Sequence, residues 1–201
     1  MLDNTRRLPM EMTGNRGIAA ASLEEEDGVL ELFQTAALLL ANQDEAVATV
    51  EQAVARAQID PCAEPGRAQL ESRELLVRLA VERAVAMDPA SFKQDGFSGS
   101  DVCFDTEDLE STGVTAEQLS LLISVPGRTR LREWLEHLRP ASRVVFVLRA
   151  MIGKDSAAVA EELRRANANG GAGWTPDQVG LVFRGALCSL ASSLVHAPAL
   201  S

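Results

Sequence analysis

Apolar residues recur at helical spacing along most of the chain. From Leu30 to Ala57 (LELFQTAALLLANQDEAVATVEQAVARA) the stripe is interrupted at Asn42, Gln43 and Asp44, which predicts two helices with a break between them. Asp60 to Gly66 (DPCAEPG) holds two prolines and a glycine and reads as a turn. A third helix is predicted from about Ala68 to Met87, with Leu75, Leu79 and Val85 among its apolar positions, stopping before Asp88 and Pro89. Further on, Leu131, Trp134, Leu135 and Leu138 mark one helix face, and Pro140 separates it from a helix over Ala141 to Met151 that Gly153 ends. Asp155 or Ser156 can cap the next helix, which buries Val159, Ala160 and Leu163. After a loop rich in Asn and Gly, Thr175 stands as an N-cap, with Pro176 at the first helical position and Gln178 at the reciprocal capping-box position. Val179, Val182, Phe183, Ala186 and Leu190 then share a face.

The segment between these two helical groups has a different pattern. Asp101 to Ser120 (DVCFDTEDLESTGVTAEQLS) carries six acids and no base, and Thr115 to Gln118 can cap a brief helix through Ile123 before Pro126 and Gly127. The chain therefore divides into a flexible tail over 1–22, a helical domain over 23–88, an acidic linker over 89–127 and a second helical domain over 128–201. With no Tyr and abundant Ala, Leu and Val, the expected class is all-α: two small helical domains joined by an acidic linker.

Charge sharpens this division. The net charge of −10 argues against an indiscriminate nucleic-acid binder. Residues 1–127 hold 9 basic and 23 acidic side chains, a balance of −14, whereas 128–201 hold 10 and 6, a balance of +4. The three cysteines, Cys62, Cys103 and Cys188, are widely spaced and outside any CxxC pattern, so reduced thiols in a cytoplasmic protein are expected. Neither a secretion signal nor a run long enough to span a bilayer is present, so no membrane insertion is expected. Glu24 to Asp27 lack ligand spacing and read as a solvated helix cap, while His137 and His196 are isolated. Without a phosphate loop, nucleophile elbow or HExxH pattern, no catalytic residue, metal or cofactor is expected, and the chain is not read as an enzyme.

Leu138 to Leu163 (LRPASRVVFVLRAMIGKDSAAVAEEL) lies without gaps on a pattern like LPERQREVFVLREVEGLSYEEIAEIL, and TPDQVGLVFRGAL follows TPGAVKSRLHRAR. In the first domain, LFQTAALLLANQDEAVATVEQAVARA is similar to LYRLALRLTGDRDDAEDLVQEVFLRA, and LLVRLAVERAVAM to WLLRIARNRALDRL. These patterns are those of bacterial RNA polymerase sigma factors of the extracytoplasmic-function type, which the chain resembles over about three quarters of its length. The resemblance implies a region 2-like domain that docks on core RNA polymerase and a region 4-like helix-turn-helix domain that reads promoter DNA, and it admits an anti-sigma regulator as a partner. It implies polymerase contacts at Asp44, Glu45, Val50, Glu51 and Gln52. It likewise implies DNA contacts at Thr175, Asp177, Gln178 and Arg184, with Arg164 and Arg165 on the DNA backbone.

The departures from the family pattern fall on the DNA-facing segments. Gly180, Leu181, Val182, Gly185 and Leu187 stand where the family carries basic or polar residues, and each lost base removes a phosphate or base-edge contact. Val81-Glu82 and Ala86-Met87 replace polar and basic pairs in the strand-melting helix, which also lacks the aromatics that stack on single strands. The turn over Arg164 to Trp174 is about eight residues longer than the family's usual turn. Two functions are therefore carried forward, a sigma-like initiation factor and a degenerate sigma-like protein that binds polymerase or a regulator without reading DNA, beside a third, a helix-turn-helix regulator that never touches polymerase. Arg128, Arg130, Arg132, Arg139, Arg143 and Arg149 form either a phosphate-contacting flank or solvated helix surface, and Trp174 is placed to staple the last helix.

Overall fold

The computed structural model describes residues 15–58, 64–93, 125–166 and 173–195, and their regular structure is entirely helical, as the sequence predicts. Helix α1 spans Asn15–Leu40 and α2 spans Gln43–Arg56. The first helix begins inside the expected flexible tail, where Ile18 to Ala21 supply strong helix formers. The break falls where the polar interruption places it. Ala41 turns the chain with a φ of +50°, and the Asn42 side chain accepts from the Glu45 N–H at 3.1 Å to cap α2.

Helix α3, Pro65–Met87, opens with proline at its first position, where a missing N–H costs nothing. It packs with α1 and α2 around Leu32, Ala36, Ala46, Val50, Ala53, Leu76 and Leu79. The three alanines let the helix backbones approach closely. Yet α3 is apolar on a second side as well: Val77, Ala80, Val81, Ala84 and Val85 are also buried. A helix with two such faces must be covered twice.

The second covering comes from the C-terminal helices: α4 (Val125–His137), α5 (Pro140–Phe146), α6 (Ser156–Ala166) and α7 (Pro176–Val195). Helix α3 packs on α5 and α6, and α1 on α4 and α5. One hydrophobic cluster consequently runs from Leu39, Val77 and Val81 through Leu131, Val144, Val145 and Leu148 to Leu163, Val179 and Leu190. Helix α5 continues into a π-helical turn over Val147–Met151, closed by the Ile152 N–H on the Val147 carbonyl at 3.0 Å. Gly153, at φ +79°, reverses the chain there, and the Lys154 N–H reaches the Leu148 carbonyl at 2.9 Å.

Residues at the start of the expected linker belong to this core. Asp88 ends α3 and accepts from the Ser91 N–H at 3.2 Å, nucleating a 3-10 turn over Pro89–Phe92 that drives Phe92 to 1% exposure. The Ser91 hydroxyl accepts from the Ala141 N–H at 3.1 Å, satisfying an orphan donor in the first turn of α5 that Arg139 does not cap. At its other end the expected linker stops short, because Val125 to Gly127 already belong to α4 although Pro126 and Gly127 are expected to end a helix; residues 94–124, with the brief helix expected after Thr115, lie outside the described residues.

Arg143 on α5 is the least expected member of the interior, at 6% exposure. Its Nε donates to the Leu39 carbonyl at 3.1 Å, Nη2 to Leu40 at 3.3 Å and Nη1 to Leu138 at 3.5 Å. The first two carbonyls end α1, where the helix dipole is negative. Burial lowers the affinity of this guanidinium for its proton and the charge of Glu136 opposes that, but an arginine stays charged. Both readings of Arg143 as a surface residue are thus corrected: it joins the C-terminal helices to the end of α1.

Cys188 is 7% exposed and disulfide-bonded, which corrects the expectation of three reduced thiols. Spacing along the chain carries no record of which helices come together. Cys62 and Cys103 lie outside the described residues. Among the described residues no helix is long and apolar enough to cross a membrane.

Candidate functional site

The α6–turn–α7 unit is built by local signals at both helix starts. Asp155 accepts from the Ala158 N–H at 2.7 Å and so caps α6. At α7 the capping box closes in both directions: the Gln178 N–H donates to Thr175 Oγ1 at 3.2 Å, and the Thr175 N–H donates to Gln178 Oε1 at 2.8 Å. Trp174, at 2% exposure, enters the shared core immediately before this cap. Val159, Ala160 and Leu163 of α6 and Val179, Val182 and Ala186 of α7 lie in that same core.

A chain of aromatic contacts fixes α7 against the helices behind it. Trp134 meets Phe146 edge-on with centroids 4.8 Å apart, and Phe146 lies 6.0 Å from Phe183 of α7. The Trp134 indole donates to Ser189 at 3.2 Å. Arg149 stacks over Phe183 at 5.4 Å and donates through Nη1 to the Lys154 carbonyl at 2.9 Å. Arg149 therefore ties the turn before α6 to the face of α7, so it and Arg143 do not belong to an outward arginine flank. Of the others, Arg132 pairs with Glu136 at 3.0 Å, Arg130 and Arg139 are exposed, and the Arg128 side chain lies outside the described residues.

The six DNA-contact candidates divide by what they already do. Thr175 and Asp177 are exposed in the first turn of α7, but the Thr175 and Gln178 side chains are engaged in the cap. Arg184 is half-buried and lies back along the helix, with Nη1 3.8 Å from where a side chain on Gly180 would begin. Arg164 pairs with Glu161 at 2.8 Å, while Arg165 reaches Glu161 at 3.6 Å and Glu162 at 3.3 Å. The stem of Arg164 also runs against Gly173, where a Cβ would approach it to 2.9 Å. The exposed pairs with Glu161 contribute only about 0.2–1 kcal/mol each and leave those cations exchangeable. Glu162 is largely buried and is shared between Arg165 and Lys154, the latter at 3.5 Å, so the two glutamates offset part of the local positive charge.

The docking candidates lie along α2. Asp44 is exposed in the first turn, a favourable place for an acid, and Glu51 and Gln52 are exposed further along. Val50, at 8% exposure, belongs to the packing of the first three helices. Glu45 pairs with Nε of Arg83 on α3 at 2.5 Å, and that hydrogen bond, aided by the charge, holds its carboxyl below the usual range against a smaller opposing effect of desolvation. Between α2 and α3 runs a groove of about 700 Å³ whose walls carry Glu51, Arg56 and Glu82 together with the apolar Ala48, Ala55 and Leu79, and which the Glu45–Arg83 pair also lines. Arg56, Glu82 and Arg83 are not among the docking residues that the sequence suggests; the helical period carries the one signal for the latter two, which fall between buried positions of α3.

The α3 positions aligned with the melting segment part company. Val81 is wholly buried in the shared core, whereas Glu82, Ala86 and Met87 are exposed. Among the described residues, no three His, Cys, Asp or Glu side chains converge as a metal site requires. Compared with protein families, with curated proteins and with solved structures, the chain has no match.

Proposed function

We propose that the chain is a sigma-like transcription initiation factor, with a region 2-like unit that docks on core RNA polymerase along α2 and a region 4-like α6–turn–α7 unit directed at promoter DNA. The observation that carries this reading is the α6–turn–α7 pair, with each helix capped by its own side chains and α7 anchored through Phe183. The groove between α2 and α3, which sets charged side chains such as Glu51, Arg56 and Glu82 beside apolar ones such as Ala48, Ala55 and Leu79, supports the docking half. A second reading, a protein that holds polymerase or a regulator without reading DNA, draws on one further observation. Arg184 is the only base on α7, and Arg164 and Arg165 are matched by Glu161 and Glu162.

Purified protein is to be tested for binding to core polymerase, and the complex for retention of a promoter fragment as salt is raised. The initiation-factor reading expects retention that weakens with salt, because displaced counterions drive it. It also expects run-off transcription to fall about tenfold in Arg184→Ala, the loss of one good base contact. Polymerase binding without promoter retention selects the second reading, and failure to bind polymerase removes the initiation-factor reading and leaves the second with a regulator as its partner.

A further inference from the structure

Arg149, on the π-helical turn over Val147–Met151, touches both halves of the α6–turn–α7 unit. Its Nη1 donates to the Lys154 carbonyl at 2.9 Å, one residue before the Asp155 cap of α6, and its guanidinium lies 5.4 Å over the ring of Phe183 on α7. One planar group thus meets the start of one helix and the face of the other. We propose that Arg149 is the positioning residue of this unit: acting through Phe183, it fixes the roll of α7 and with it the direction of Arg184, the next residue along. The inference rests on the reading of α6–turn–α7 as the promoter-directed unit.

Apolar packing alone leaves that roll loosely set. Val179, Val182, Ala186 and Leu190 bury one side of α7, but hydrophobic contact is non-directional, and a helix can turn slightly on such a stripe while keeping most of its buried area. A hydrogen bond and a ring stack made by one rigid plane are directional and select a single roll. Phe183 also meets Phe146, at 6.0 Å, so its ring has a buried aromatic neighbour besides the guanidinium. The arrangement is not the one that stability alone favours. Arg149 Nε is buried and, among the described residues, meets no acceptor, so the guanidinium loses hydration there without return. A methionine would cover the same ring and strand no donor.

The test uses the full chain in complex with core polymerase and, as probe, the duplex that the wild-type complex enriches from a randomised pool. Arg149→Met is expected to keep its helical circular dichroism and its urea midpoint, while preference for the enriched duplex over random duplex falls about tenfold, the loss of one base contact. The salt dependence of binding is expected to stay as it is, because Arg149 neutralises no phosphate. Phe183→Leu is expected to lower the preference likewise, and combining it with Arg149→Met to cause no further loss. A salt slope shallower by about 0.9 in Arg149→Met makes Arg149 a phosphate contact and overturns the proposal. An intact preference in Arg149→Met overturns it too, as does full additivity with Phe183→Leu, and promoter reading survives each of these results. Should Arg149→Met lose its helices or its midpoint, Arg149→Lys decides, since it keeps the cation and gives up the plane. The same tenfold loss is expected there, and wild-type preference overturns the proposal. If the wild-type complex enriches no duplex, promoter reading falls and this inference with it.

Discussion

Glu45 and Arg83 pair across α2 and α3, and the consequence is a defined response to acid. With its carboxyl held below the ordinary value of 4.5, chiefly by the Arg83 hydrogen bond, Glu45 binds a proton less readily folded than unfolded. Its contribution to stability is therefore complete above that ordinary value and disappears as pH falls through the lowered one. Urea midpoints of the wild type and Glu45→Gln are expected to differ by a constant amount near neutrality and to converge in acid. A gap that persists undiminished in acid would rule out this account. The pair could not be read from the sequence, because its members are 38 residues apart. Asn42 could, because the N–H it caps is three residues away. Arg143 marks the limit of residue-level reading: nothing in LRPASRVVF announces that its guanidinium will meet carbonyls more than 100 residues earlier in the chain.

At the scale of elements, legibility follows the range of the forces that start and stop a helix. The sequence shows the α7 cap as the Thr175-to-Gln178 box and the end of the preceding helix as Gly153, and it narrows the α6 cap to Asp155 or Ser156, of which Asp155 holds it. The 3-10 turn at Pro89–Phe92 was not, since Phe92 is held by partners distant in sequence and Ser91 caps a helix that begins 49 residues later. Nor did spacing alone separate the two apolar faces of α3. The capping box itself invites a test. Replacing Thr175 by Ala removes the acceptor for the Gln178 N–H and is expected to lower unfolding free energy by about 1 kcal/mol, with Thr175→Ser close to the wild type. Denaturant unfolding in which Ala and Ser behave alike would show that the hydroxyl contributes nothing at this cap.

For the whole molecule, the shared core predicts shared fate. Leu148 is fully buried in the cluster that joins α1 and α3 to the C-terminal helices. Leu148→Ala is expected to cost about 2–5 kcal/mol, the range for emptying a packed leucine site. That loss should register in the N-terminal helices as strongly as in the C-terminal ones. Separate transitions for the two groups, with only the C-terminal one shifted, would mean that the shared core does not couple them. The aromatic contacts behind α7 supply the instrument for deciding this. Trp134 and Trp174 are the only tryptophans, both lie in the C-terminal helical group, and the chain has no tyrosine. Ultraviolet emission is thus a label already confined to one half of the protein, while circular dichroism sees every helix; the two melting curves, overlaid, report whether the halves part company without a single added dye.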